Sequence, residues 1–374
     1  PLGPAYPHPA HYSTPDPCTF AHRYPSYSRM VAMAGTSFGV TFRRVALASL
    51  LGLVLISLSC KSTEKENLPP IQLKIVRGEI ILRHGFKDTT EARPLIDLMS
   101  DCFSGGDSVP EHVYYEGLVD LQRDSLFRWL IDTTLKIFPP DYPFEEKLTL
   151  LFQRWKKLYP GDSLPVIVTF VTGYGPVGAL TLETDQAQLC DRHLMIGLNY
   201  YLSDTFGFYP PDLPYFIRRR LTPPHLPVFV AMRLIRSKMP TLSPRNVPKM
   251  IDYMVWYGIQ LYALEKLLPE LPDTLRFFYT QSHMAWLKEN KRYAYKALLP
   301  YFQESRYLEI QPFIGEEPFT KLFGRESPPR LGWYFGYEAV HQYMERYSDM
   351  TLRQLLELPP TEYQKLFEKA RYRP

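Results

Sequence analysis

From Glu145 to Leu158 the apolar residues Leu148, Leu151, Phe152, Trp155 and Leu158 recur at helical spacing. They predict one helix with a single core-facing stripe, broken by Pro160-Gly161-Asp162. Pro165–Thr172, rich in branched and aromatic side chains, reads as a buried strand, and the apolar stretch Leu194–Leu202 is expected to pair with it. Residues Ile71 to Leu82 alternate, with Ile71, Leu73 and Ile75 on one face, which predicts a half-buried strand. Glu116–Phe138 predicts one helix stopped by Pro139-Pro140. Beyond Pro211 the pattern is helical over 212–221, 226–237, 247–268, 281–298, 332–346 and 361–370, with prolines punctuating the segments. A strand and helices, a short mixed sheet, then a helix-rich C-terminal half define a mostly helical α+β protein without internal repeats.

The amino-terminal part follows a different rule. Arg43 and Arg44 precede the apolar run Val45–Leu58, which ends at Ser59-Cys60. A charged start, an apolar run too short for a permanent span and a small residue before cysteine predict a lipoprotein signal peptide over 30–59. Ser57 stands where such a signal usually has leucine. Cys60 is the expected lipidation site, and the polar residues after it make 60–70 a tether to a domain over 71–374. Residues 1–29 read as a non-native extension upstream of a start at Met30 or Met33. The expected location is the cell envelope, with the domain lipid-anchored and facing the periplasm. The alternative is a plain cleaved signal that releases a soluble periplasmic protein.

Composition adds few constraints. The 374 residues are 45% hydrophobic and 22% charged, enough for a sizeable core. Removing residues 1–59 takes away four arginines and Asp16, so the formal charge of +4 falls to +1. A near-neutral body offers no general attraction to nucleic acid. The run Arg218-Arg219-Arg220 has the chemistry to touch an anion or a lipid headgroup, but is expected to be a solvated face. Cys102 and Cys190 remain after processing, either as one disulfide or as two free thiols, and there is no CxxC pair.

Motifs for catalysis are incomplete. Gly173-Tyr-Gly175-Pro-Val-Gly178 spells GxGxxG, but strand-like residues follow it and Pro176 removes an amide, so it reads as a turn rather than a dinucleotide site. A zinc peptidase of the HExxH class needs two histidines four apart, and His84, His112, His193, His225, His283 and His341 contain no such pair. Glu338 and His341 form one ExxH on a predicted helix, where a helix-surface pair is the expected role. Asp191-Arg192-His193 places acid, base and imidazole side by side in an extended segment, where neighbours face opposite ways. No catalytic residue, metal or cofactor is therefore expected.

Several blocks, in order over about residues 150–374, carry a family likeness. They are Ile196-Gly-Leu-Asn-Tyr-Tyr-Leu-Ser203, Met254-Val-Trp-Tyr-Gly-Ile-Gln-Leu-Tyr262, Leu268-Pro-Glu-Leu-Pro-Asp273 and Trp286-Leu-Lys-Glu-Asn290. Ser327-Pro-Pro-Arg-Leu-Gly-Trp-Tyr-Phe-Gly-Tyr-Glu-Ala-Val-His-Gln-Tyr-Met344 and the ending Arg371-Tyr-Arg-Pro374 complete the set. Together with the lipoprotein signal, they resemble the gliding motility lipoprotein GldB family of Bacteroidota. Asn199 stands where that family often has Asp, Ser203 where it has Gly, and Gln260 where Lys is common.

The resemblance implies a relative of zincin-type peptidases, with the 249–266 helix where the zinc motif sits in active relatives. Tyr257-Gly-Ile-Gln-Leu261 offers no ligand there. It thus implies a noncatalytic lipoprotein supporting gliding and the linked type IX secretion, with the membrane and other gliding or secretion envelope proteins as partners. Arg330, Trp333, Tyr334 and Tyr337 are the expected interaction surface. The rival is an envelope metallohydrolase or peptidase using Asp191, His193, Glu338 and His341.

Overall fold

The computed structural model describes residues 66–103, 109–173, 186–211, 213–243 and 247–374. The upstream extension, the signal segment and Cys60 lie outside the described residues, as does Tyr174–Gly178 of the glycine run. The sheet has four strands in the order β1 (Ile75–Arg77), β2 (Val166–Phe170), β4 (His193–Gly197), β3 (Ala187–Leu189). Strand β2 runs parallel to both neighbours, with Val168 opposite Val76 and Met195, whereas β3 is antiparallel to β4. Ile167, Val168, Leu194 and Ile196 are fully buried, as continuous apolar strands covered on both faces must be.

The segment expected to be one strand over 71–82 is only three residues of strand. At Gly78 the chain turns into helix α1 (Gly78–His84). The buried residues Gly78, Glu79 and Leu82 there follow a helical spacing, which the apparent alternation concealed. Glu79 is buried because its carboxylate accepts from Arg77 Nε at 2.6 Å and Thr169 Oγ1 at 2.7 Å.

Helix α2 (Thr89–Phe103), unforeseen in the sequence, buries Ala92, Leu95, Ile96 and Leu98. The long helix expected over 116–138 is two helices, α3 (Glu111–Arg123) and α4 (Ser125–Ile137). Asp124 separates them: its extended backbone ends α3, and its carboxylate caps α4 by accepting from Phe127 N at 2.8 Å. Helix α5 (Phe144–Leu158) buries Leu148, Leu151, Phe152 and Trp155, the expected stripe. The Leu194–Leu202 stretch is strand only to Gly197 and then a 3-10 turn over Leu198–Tyr201.

In the C-terminal half, α6 (Leu226–Lys238), α7 (Met250–Leu267), α8 (Gln281–Leu298), α9 (Tyr307–Ile314), α10 (Leu331–Arg346) and α11 (Tyr363–Ala370) surround the core. The 212–221 segment holds only one turn of α-helix, Tyr215–Arg218, and α9 was not expected. Helix α7 is apolar nearly all round and is buried on most of its surface, including Met254, Val255, Ile259, Ala263 and Leu264. Among the described residues, no helix is long and apolar enough to cross a membrane.

Candidate functional site

The triplet Arg218-Arg219-Arg220 ends a single helical turn that Pro214 starts and Pro223-Pro224 follow. Successive residues at such a turn point in different directions, so the three arginines separate. Arg220 turns inward and is 2% exposed, and Arg219 is half-buried. The expected solvated face is therefore an interior charge. Arg330, just ahead of α10, joins it from far along the chain and is 1% exposed.

One carboxylate serves both buried guanidiniums. Glu316 follows α9, and its oxygens accept from Arg220 Nη1 at 2.8 Å and from Arg330 Nη1 at 3.4 Å. Arg330 Nη2 also donates to the Phe277 carbonyl at 3.2 Å, and Arg219 Nη2 to the Phe278 carbonyl at 2.9 Å. The Arg220 and Arg330 guanidiniums each lie 5.5 Å from the Phe278 ring, which also stacks on the His225 imidazole and lies against the Phe229 ring. Phe278 and Arg330 have φ of 56° and 54°, a left-handed backbone that non-glycine residues seldom adopt. Two such residues at one charged centre mark a place where the fold holds a costly geometry.

The electrostatics are lopsided. Burial, reinforced by Arg330, pushes Arg220 down to about 9, which leaves it charged at neutral pH. Burial and then Arg330 also lower Arg219. Burial alone would raise Glu316, but Arg330 and Arg220 outweigh it and hold the carboxyl below its ordinary value. His225 is pushed down to about 3 by burial, then by Arg220 and Arg219; His283 is pushed down to about 4 by burial, then by Arg219 and Arg330. Both imidazoles are neutral at pH 7, so among the described residues Arg219, Arg220 and Arg330, with Arg236 further off, face one carboxylate.

Beside this centre lies a cavity of about 540 Å³ whose wall includes Trp256, Tyr257, Tyr307, Gln311, Glu316 and Trp333. Tyr257 stacks on Trp333 at 3.8 Å, and the Arg330 guanidinium sits 4.6 Å from the Trp333 ring. Glu316 belongs to both features, with its side chain 24% exposed. Neither Glu316 nor Phe278 stood out in the sequence. The signal that existed was an arginine run between the apolar Ile217 and Leu221, a pattern that suits an interior turn as well as a surface.

The four residues expected at an interaction surface are mostly inside. Arg330, Trp333 and Tyr334 are buried and Tyr337 is half-buried, because α10 turns its aromatic face onto α7 and the Phe277–Tyr279 segment. Exposed apolar surface occurs instead at Leu126, Trp129 and Phe208, with Trp129 and Phe208 rings 4.3 Å apart.

The residues weighed for a hydrolase fall into separate local networks. His193 Nδ1 lies 2.9 Å from Asp101 Oδ2, which also accepts the backbone N–H of Arg192 and His193, while Asp191 is exposed. Glu338 accepts from Lys291 and from the Tyr372 hydroxyl, whereas His341 faces Glu265 of α7 and Glu345. Cys102 and Cys190 are joined as a disulfide with their Cα atoms 5.4 Å apart. Among the described residues, the group at metal-ligand spacing is Asp101, Cys102 and Cys190, and its sulfurs are bonded to each other.

The departures Asn199 and Gln260 fill buried roles. Asn199 accepts from Thr172 N at 2.9 Å and donates to the Gly173 carbonyl, a donation a carboxylate could not make. Gln260 accepts from Arg236 Nε at 2.8 Å and donates to the Trp256 carbonyl at 3.2 Å. In comparisons with known proteins, residues 87–374 match the family model described as gliding motility protein GldB. No curated protein and no solved structure matches the chain.

Proposed function

The chain belongs to the gliding motility protein GldB family, and from that premise we propose that it is a noncatalytic envelope lipoprotein supporting gliding and the type IX secretion linked to it. The observation that carries this reading is the family match, which spans 87–374 and so takes in strands β2 to β4, the arginine centre and the aromatic cavity. The role in motility follows from the family. Attachment through Cys60, the periplasmic orientation, the secretion link and the absence of catalysis are our reading.

Three observations support it. Along α7, Tyr257–Leu261 carries no imidazole or carboxylate, and Gly258 lies against the backbone of α10. In a zincin-derived scaffold, this is where the zinc-binding motif would have been lost. His193 and Glu338 are each engaged with partners of their own, at Asp101 and Lys291. The exposed Leu126, Trp129 and Phe208 supply the kind of aromatic surface on which contacts with other proteins concentrate.

The test is a deletion strain scored for colony spreading and for secreted cargo in the medium. Deletion should impair both, the lipid-anchored wild type should restore both, and a form secreted without lipid should restore less. A Trp129→Ala, Phe208→Ala double variant should accumulate normally and restore spreading poorly. Wild-type spreading and secretion in cells proven to lack the protein would end this reading.

A further inference from the structure

We propose that the Arg219–Arg220–Arg330 centre binds a phosphate-class oxyanion, free or carried as a phosphomonoester, that reaches it from the aromatic cavity past Glu316. This site goes beyond the motility reading and stands or falls independently of it.

Charge is the first reason. Among the described residues, the Arg219, Arg220 and Arg330 guanidiniums face the single Glu316 carboxylate, which Arg236 also influences, and the two nearby histidines are neutral, so positive charge at the centre exceeds negative by at least two. Arg220 and Arg330 are 2% and 1% exposed and share one carboxylate, and buried positive charge that a single anion only partly balances is costly to hold. A phosphate group carrying close to two negative charges would neutralise the excess, whereas a carboxylate would leave half of it.

The open donors are the second. Arg220 uses Nη1 for Glu316, while its Nε and Nη2 are buried without a hydrogen-bond partner among the described residues. Those two N–H groups form the side of a guanidinium that grips two oxygens of one anion in parallel. Arg330 Nε is likewise buried and without a partner among the described residues. Buried N–H groups in a native protein are normally paired, and three at one charged centre ask for a common acceptor. Donors from two separate guanidiniums suit a tetrahedral anion. An ordered water could satisfy one donor, but it brings no charge.

Access is the third. Glu316 lines the cavity of about 540 Å³ while holding both arginines, and Trp333, which stacks on Arg330, forms the adjoining wall. The centre therefore sits directly behind the cavity wall, and Glu316 acts as an internal anion at its mouth. The aromatic rings beyond it provide room for whatever group carries the phosphate.

The experiment measures thermal unfolding of the full-length chain in detergent against inorganic phosphate, glycerol phosphate, acetate and chloride at matched ionic strength. Phosphate should raise the melting temperature saturably and chloride should not, because a ligand that binds only the folded state stabilises it by mass action. Arg219→Gln, at a half-buried position, should fold and weaken phosphate binding roughly tenfold, the scale of one charge-assisted contact. Glu316→Gln removes the competing carboxylate and should strengthen binding by about the same factor. A purely structural arginine cluster would lose stability in Glu316→Gln and gain no phosphate response. A larger response to glycerol phosphate than to phosphate supports a phosphomonoester ligand, and the reverse supports free phosphate. Equal responses to phosphate and chloride in the wild type and in Glu316→Gln would overturn the site, and acetate matching phosphate would overturn the ligand class.

Discussion

Gly258 of α7 and Gly336 of α10 meet backbone to backbone. A Cβ added to Gly258 would lie 2.3 Å from the Gly336 carbonyl carbon, and one added to Gly336 would lie 1.7 Å from the Met254 carbonyl oxygen. Because the obstacle is main chain on both sides, no rotamer change can relieve it. This close crossing also sets the distance at which Tyr257 and Trp333 stack to form the cavity wall.

Gly336→Ala should therefore force the two helices apart. The expected loss is about 3 kcal/mol, at the upper end of ordinary overpacking. The midpoint of urea unfolding measures it, with Gly324→Ala at an exposed turn as a control for strain at a positive φ. A Gly336→Ala midpoint within error of wild type would show that the crossing yields.

The Cys102–Cys190 disulfide joins α2 to the turn between β3 and β4 across a sequence separation of 88. Closing a loop of that size constrains the unfolded chain, so Cys102→Ser or reduction should cost roughly 2–4 kcal/mol. The same ends remain held by Asp101, which accepts the Arg192 and His193 backbone N–H groups, so the fold should persist. Thiol titration of the denatured, unreduced protein should find neither cysteine reactive.

Acid should destabilise the protein before its carboxylates titrate. His225 and His283 titrate at about 3 and about 4 in the folded state, below the ordinary histidine value of 6.5. Groups with depressed folded pKa values bind protons on unfolding, so their contribution is complete above about 6.5 and is lost as pH falls toward 4. Unfolding near pH 5 should take up about two protons from these residues, and about one in His225→Gln. The dependence of the urea midpoint on pH between 7 and 4 gives both slopes, and an unchanged slope in His225→Gln would contradict the burial of this imidazole.

Cys60→Ala should abolish acyl labelling and leave the chain unprocessed or soluble, since stable attachment needs the several acyl chains of a mature lipoprotein. Metabolic labelling with a fatty acid and membrane fractionation report both outcomes. Normal labelling of the variant would remove Cys60 as the anchor.

Wherever neighbours in sequence are also neighbours in space, the chain declares its own structure. The stripe Leu148, Leu151, Phe152, Trp155 and the run Val166–Phe170 became a helix and a buried strand as expected, because a single period decides them. The family blocks from Ile196 to Pro374 were equally legible, and they led to the same family as the match over 87–374. Local reading failed where two signals competed. Ile80, Ile81 and Leu82 suit a strand as well as a helix, and one acidic residue, Asp124, divides an apparently continuous helix by capping its second half.

The arginine centre belongs to tertiary structure alone. Arg220, Glu316 and Arg330 are separated by 96 and 14 positions, and no periodicity connects them. Whether Arg220 faces water or the interior depends on a turn between prolines and on where α9 and α10 deliver Glu316 and Arg330. The same holds for Trp333 and Tyr334, whose aromatic character suits a surface contact or a core equally. Sequence determined the strongly periodic helices, the buried strand Val166–Phe170 and which family the chain resembles, since local sterics and hydrophobic periodicity are written residue by residue. The meeting of the turn before Pro223 with the ends of α9 and α10 decided which charges lie inside, because burial depends on segments far apart in the chain.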